Sequence, residues 1–206
     1  MSNPDISLYK LNNEIQGITG ETRVCGLIGH PVEHTLSPLI HNTLARICHK
    51  NMVYVPFEVD PGLVDTAVNG AYELNVLGLN VTVPHKIEVM SALVSIDSKA
   101  ESIGAVNTLV RTEGGYKGYN TDHTGLKRAL ESDGIDLHNR DVVILGAGGA
   151  ARSAAFLCAF EESRRVYILN RNYDKAIALC DSVNGYCDRE SDGYCHCPRG
   201  WNRCDS

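Results

Sequence analysis

A chain of 206 residues with 43% hydrophobic composition is long enough to bury one large core or two small ones. Its formal net charge of −6 argues against a broad nucleic-acid-binding surface, which needs clustered Lys and Arg, and favours a small-molecule ligand. The opening "MSNPDISLYKLNNEIQG" has no basic run followed by an apolar one, so no secretory signal is read there and a cytoplasmic location is expected. The most membrane-like stretch, Val142 to Phe160, is broken by small residues and by Arg152. It is expected to be a buried strand followed by a buried helix, with no membrane partner. Composition leaves a homodimer open.

From Arg23 onward, β-rich and helical patterns alternate. Strands are expected in "RVCGLIG", "MVYVPFEV" and "VLGLNVTV", with helices after Ser37, after Pro61 and after Pro84. "GAVNTLVRTEGGYKGYNTD" predicts a hairpin around Gly114-Gly115, and a helix follows from about Thr121 to Ser132. After the polar connector "DGIDLHNRD" a second unit opens: the strand "DVVIL", the glycine turn and helix "GAGGAARSAAFLCAF", the strand "RVYIL" and the helix "NYDKAIALCDSV". The fold class is α/β. The expected division is an α/β unit over 1–120, a connecting helix and linker over 121–139, an incomplete Rossmann-type unit over 140–184, and an atypical Cys-rich, disordered tail over 185–206.

That tail, "GYCDRESDGYCHCPRGWNRCDS", contains no Leu, Ile, Val, Phe or Met, so no further buried strand is expected from it. A doubly wound sheet normally has about six strands, whereas the second unit offers only the two named above. A truncated or out-of-frame C-terminus is the expected origin of the abrupt change. Cys25, Cys48 and Cys158 lie in apolar surroundings and read as reduced core residues, while Cys180, Cys187, Cys195, Cys197 and Cys204 crowd the end. A small metal site from Cys187, Cys195, His196, Cys197 and Cys204 competes with that account, but the spacing lacks paired C-x-x-C knuckles and no metal is expected. A disulfide cluster is disfavoured in a cytoplasmic chain.

Two motifs carry chemistry. In "NVTVPHK", Asn80 to Lys86, a proline ends an apolar β-type run and would suit the first turn of a helix, which sets Lys86 near the positive end of a helix dipole. A cation there is unfavourable by ~0.3–1 kcal/mol when exposed, and a chemical role for the amine would explain it. "GAGGAA", Gly146 to Ala151, fits G-x-G-x-x-G/A between a strand and a helix, so Gly146, Ala147, Gly148, Gly149 and Ala150 are the candidate cradle for a pyrophosphate. A glycine turn without a ligand is the plainer alternative. Where an NAD site carries Asp or Glu to hold the ribose hydroxyl, this chain has Asn170 and Arg171, with Lys175 one turn on. A forked guanidinium suits a 2′-phosphate, so NADP is the expected cofactor, although Asn170 to Asn172 could equally form a helix-capping turn.

Taken in order, "GLIGHPVEHTLSPLIHN", "NVTVPHK", "GAVNTL", "GYNTDHTG", "GAGGAAR" and "NRNYDK" closely resemble shikimate dehydrogenases over residues 17 to 183. The resemblance implies an N-terminal substrate-binding domain and a Rossmann-type NADP-binding domain, catalysing NADPH-dependent reduction of 3-dehydroshikimate to shikimate on the way to chorismate and the aromatic amino acids. It also implies that Thr35 and Ser37, standing in the family's S-x-S-P segment, bind the substrate carboxylate. Thr82, Asn107 and Asp122 would meet the ring hydroxyls or carbonyl, and Lys86 with Asp122 would form the catalytic pair. A lysine ordinarily carries its proton at neutral pH and could serve as the general acid. Asn80 would support the loop, and His30, His34, His41 and His85 would be local structural residues. Ser37 before Pro38, and Asp122 before a helix, also read as simple caps. The resemblance implies further strands and a closing helix beyond residue 184, and none is expected in the sequence here. The rival expectations are an NAD-dependent quinate/shikimate dehydrogenase and a non-catalytic shikimate-binding remnant.

Overall fold

The computed structural model describes residues 17–187 and 194–197. Its first strand, β1 (Arg23–Gly29), turns from exposed at Arg23 to fully buried by Gly26 and lies at the heart of a six-stranded sheet. β1 pairs in parallel with β2 (Met52–Glu58) on one side and with β3 (Gly78–Val81) on the other. Parallel neighbours need crossover helices, supplied by α1 (Ser37–Ile47), with Pro38 in its first turn, and α2 (Val64–Glu73). β5 (Thr108–Thr112) and β6 (Gly115–Tyr119) form the expected hairpin, and β5 runs antiparallel to β3. A short β4 (Ser95–Ile96) completes the order β2-β1-β3-β5-β6-β4.

A second, parallel sheet holds β7 (Asp141–Leu145), β8 (Arg165–Leu169) and β9 (Cys195–His196) in that order. The helices α5 (Gly149–Phe160) and α6 (Tyr173–Cys187) follow β7 and β8, and α4 (Asp122–Ser132) packs beside α5. Each sheet has its own apolar core. Ile28, Val64, Val68, Leu79, Val89, Leu109 and Tyr116 close the first, and Ala155, Phe156, Val166, Ile168 and Val183 the second. The helix α3 (Ser98–Ile103) and the residues after it form the seam: Ala100 and Val106 pack into the first core, Ile103 and Ala105 into the second. Gly104 ends α3 in the left-handed region at φ 68°, and Arg152 of α5 donates its Nε–H to the last helical carbonyl, that of Ile103.

Two expectations are corrected here. No α-helix follows Pro84; residues 83–87 form a turn after a cis Val83–Pro84 bond, and a 3₁₀ helix runs from Glu88 to Ala92. Lys86 precedes that helix, and its carbonyl accepts from Val106 N at 2.7 Å, a bond across the chain in place of a helical one. The dipole argument for Lys86 therefore falls. The tail also supplies structure that its lack of aliphatic residues excluded. α6 runs on to Cys187, and β9 docks against β8. The backbone supplies the reason. The Asn184 side chain grips Cys195 at both its N–H (2.7 Å) and its carbonyl (3.1 Å), Val166 N donates to Tyr194 O, and the buried Cys195 serves as a small apolar side chain.

Residues 188–193 and 198–206, with Cys204, lie outside the described residues. Among the described residues no group of His, Cys, Asp or Glu is arranged to hold a metal, and no helix is long and apolar enough to cross a membrane. Cys158 is buried and Cys25 partly so, but Cys48 is exposed at the C-cap of α1 and is not a core residue.

Because Ile103 is fully buried at the seam, Ile103→Ala is expected to lower unfolding free energy by about 2–5 kcal/mol, read from urea melts as a lower midpoint. His123 of α4 is buried edge-on against Phe160, and burial, with Lys99 adding to it, holds its pKa below the ordinary 6.5. The folded state thus favours the neutral ring, so this contribution is complete above pH 6.5 and is lost as pH falls below it toward the lower folded value. Urea melts of the parent and of His123→Asn across pH 5–8 should differ in slope on the acid side only.

Candidate active site

The strand ends and turns that meet the seam carry the polar residues. Lys86, on the turn after β3, reaches Asp122 at the first position of α4, with Nζ 2.7 Å from Oδ2. The two side chains retain 19% and 31% exposure, so the ion pair is partly open to solvent. Asn107, only 8% exposed, sits immediately before β5 and donates from Nδ2 to the other carboxylate oxygen, Oδ1, at 2.6 Å. Its own Oδ1 accepts from Thr121 N (2.9 Å), Thr121 Oγ1 (3.1 Å) and Thr108 Oγ1 (2.9 Å). A buried amide used at both ends has one orientation, and it hands that orientation to Asp122. Asn120 adds a second brace. Its Oδ1 accepts from Asp122 N at 3.0 Å, and its Nδ2 donates to Ala105 O and to Ser153 Oγ of α5.

A second polar group lies at the start of α1. The Thr35 hydroxyl donates to Ser37 Oγ at 3.1 Å and accepts from Ser37 N at 3.2 Å. Ser37 lies within hydrogen-bonding reach of the Tyr54 phenol, and that phenol donates to Asn80 Oδ1 at 2.8 Å. Asn80 in turn donates to Asn107 O and Thr108 Oγ1. A hydrogen-bonded chain thus runs from Tyr54 through Asn80 and Asn107 to Asp122 and Lys86, with Thr35 and Ser37 beside its start. Burial pushes the Tyr54 phenol up to about 12, against the opposing hydrogen bond to Ser37, so it stays a donor at any ordinary pH. Tyr54 and Asn120 are the members that sequence reasoning missed. Tyr54 sits in an unremarkable β run, held by a two-way bond between its backbone and the Asn42 side chain and by the stacked His41 ring. Thr82 lies with its methyl against Gly29, whose missing side chain leaves room for it.

The glycine turn closes the other wall. Gly146 takes φ 120°, Gly148 is the N-cap of α5, and Gly149 lies beside the aliphatic stem of Lys86, 3.7 Å from its Cδ to an added Cβ. The lysine and the helix N-terminus therefore lie side by side. Next to it, Ala147, Gly148, Asn170, Arg171, Asn172 and Lys175 line an open cleft of about 570 Å³. Arg171 and Lys175 are exposed, and the lining includes no carboxylate. Asn172 caps α6 through Lys175 N, and Asn170 bonds Asn172 O, so the capping role of this turn is real and leaves both cations facing outward. Gly146, Gly149 and Ala150 shape the turn without lining that cleft.

Comparison with known proteins places the chain among relatives of the same fold. Residues 27–109 match the family described as shikimate dehydrogenase substrate binding domain, and residues 127–191 the one described as shikimate / quinate 5-dehydrogenase. The shikimate dehydrogenase (NADP(+)) of Desulforamulus reducens is 45% identical over 167 residues, which cover 81% of this chain and 57% of that protein. A crystal structure of a shikimate dehydrogenase in complex with NADP+ superposes with a TM-score of 0.80 at 43% identity, over 84% of this chain and 60% of its own. The Listeria monocytogenes shikimate 5-dehydrogenase, crystallised with shikimate and NAD, gives a TM-score of 0.79 at 34% identity, over 87% and 62%. The chain thus spans about three fifths of the length of the relatives it matches. Both segments, the fold and the identity point the same way, and the chain belongs to the shikimate dehydrogenase family.

Proposed function

We propose that this chain carries the substrate site and the opening half of the cofactor site of an NADPH-dependent shikimate dehydrogenase, which reduces 3-dehydroshikimate to shikimate in the pathway to chorismate and the aromatic amino acids. The observation that carries this reading is the Lys86–Asp122 pair at 2.7 Å, with the lysine stem beside the glycine turn. In this reading residues 1–120 are the substrate domain, 121–139 the connection and 140–184 the partial NADP-binding domain. The unbridged thiols of Cys25, Cys48 and Cys158 support a cytoplasmic setting. Leu36, Leu39, Ile40, Leu44 and Ile47 leave one face of α1 apolar and exposed, which supports a second copy of the chain as partner.

The residues present suit a phosphorylated dinucleotide. A 12-residue helix offers its N-terminal amides behind Gly148, with Arg171 and Lys175 adding positive charge and no carboxylate in the lining to repel a phosphate. Asn170 and Arg171 in place of an acidic residue support NADP over NAD. When bound, the cofactor supplies the hydride.

Everything else falls to side chains. Reduction of a ketone leaves negative charge on oxygen, and the Lys86 ammonium is positioned to give that oxygen a proton or to stabilise it. Asp122 holds Nζ in place, and Asn107 fixes the carboxylate from its far side. Thr35 and Ser37 have hydroxyls to turn toward a substrate carboxylate, while Thr82, Asn107 and Asp122 face the ring hydroxyls.

Joined to the remainder of a relative's sequence, the chain should oxidise shikimate with NADP. Lys86→Ala is expected to lower turnover by about 10²–10⁴-fold with shikimate binding retained, and an unchanged turnover number would remove the acid role. In this chain by itself, Arg171→Ala should weaken NADPH about tenfold or more and leave NADH unaltered, measured by fluorescence titration; an equal loss for both would remove the 2′-phosphate assignment.

A further inference from the structure

Cys180 of α6 and Cys195 of β9 lie 15 positions apart, yet their sulfurs approach to 3.1 Å in a buried setting. The Cys195 S–H donates to the Cys180 sulfur; this bond holds the Cys180 thiol below its ordinary value and the Cys195 thiol above it. Cys197, just past the end of β9, packs against the same cluster and also interacts with Cys180, and it is partly exposed where the other two are buried. No metal arrangement claims these thiols among the described residues. β9 itself is a strand of two residues, gripped by Asn184 and one edge of β8.

We propose that Cys180 and Cys195 are a disulfide-forming site that staples β9 to α6, with Cys197 as the entry thiol for a small-molecule disulfide such as oxidised glutathione. The Cys197 thiolate attacks one reagent sulfur, breaking the reagent S–S bond and releasing one thiol. The Cys180 thiolate then attacks Cys197 Sγ and releases the second. Attack of Cys195 on Cys180 Sγ returns Cys197 to the thiol and leaves the Cys180–Cys195 bond. Over the sequence two protein thiols lose two electrons and two protons, and the reagent disulfide gains them as two thiols. The sulfurs must close from 3.1 Å to about 2.05 Å, a small displacement for a short strand at a sheet edge. The link would hold in register a strand that otherwise depends on a few hydrogen bonds.

The test uses the whole reduced chain, exposed to oxidised glutathione, quenched by alkylation and cleaved with trypsin. Cleavage after Arg189 separates Cys180 and Cys187 from Cys195 and Cys197. The expected product has lost the mass of two hydrogens, retains no glutathione, links Cys180 to Cys195, and shows slower amide exchange at Cys195 and His196, all reversed by dithiothreitol. Cys197→Ala should form the same link more slowly, and Cys195→Ala should not form it. Alkylated Cys180 after oxidation, or its linkage to a cysteine other than Cys195 in the parent chain, would overturn the proposal. A Cys197→Ala variant that oxidises as fast as the parent would overturn the entry role.

Discussion

The bond between Asn107 and Asp122 is the constraint on which the candidate site depends. A carboxylate at the first turn of α4 and an amine on the turn after β3 come from segments 36 positions apart, and nothing local brings them together. Asn107 does so because it is buried and used at both ends: one end takes the amide and hydroxyl of Thr121, the other grips Asp122. The start of α4 is thereby tied to the start of β5, and β5 is locked to β3 through the Leu79 and Leu109 register. A site built on strand ends inherits the rigidity of the sheet, which proton delivery to a bound ketone requires.

The same logic extends across the seam. Asn120 donates to Ser153 of α5, Arg152 of α5 caps α3, and Ile103 inserts into the core of the second sheet. These contacts set the distance between Lys86 and the glycine turn, where Gly149 lies beside the lysine stem. The cleft beyond, with Arg171 and Lys175 on its rim, shares no lining with the larger apolar cavity of about 740 Å³ formed by Leu126, Leu130, Ile135 and β7. Volume and chemistry are separated in this molecule.

The second sheet shows how little a strand needs. β9 has no aliphatic residue, but its backbone finds Val166 and Asn184, and a buried cysteine fills the space an aliphatic chain would take. Composition counts side chains available for burial and is silent about backbone bonds to an edge already formed, so it excluded a strand that edge pairing permits.

From the linear chain alone, the βα alternation, the hairpin at Gly114, the limits of β7 and β8, and the glycine turn were legible, because each depends on local periodicity or on a residue with a special backbone preference. The order of family motifs also named Lys86, Asp122, Asn107, Thr35 and Ser37 before any geometry was known. Only the tertiary structure decided that Lys86 precedes a 3₁₀ helix, because the competing partner for its carbonyl, Val106, is 20 positions away. It alone brought Tyr54 and Asn120 into the network, and set the sulfurs of Cys180 and Cys195 side by side. Local pattern records what a segment prefers; which distant donor satisfies a buried polar group is settled when the sheets close, and the seam is where that happens.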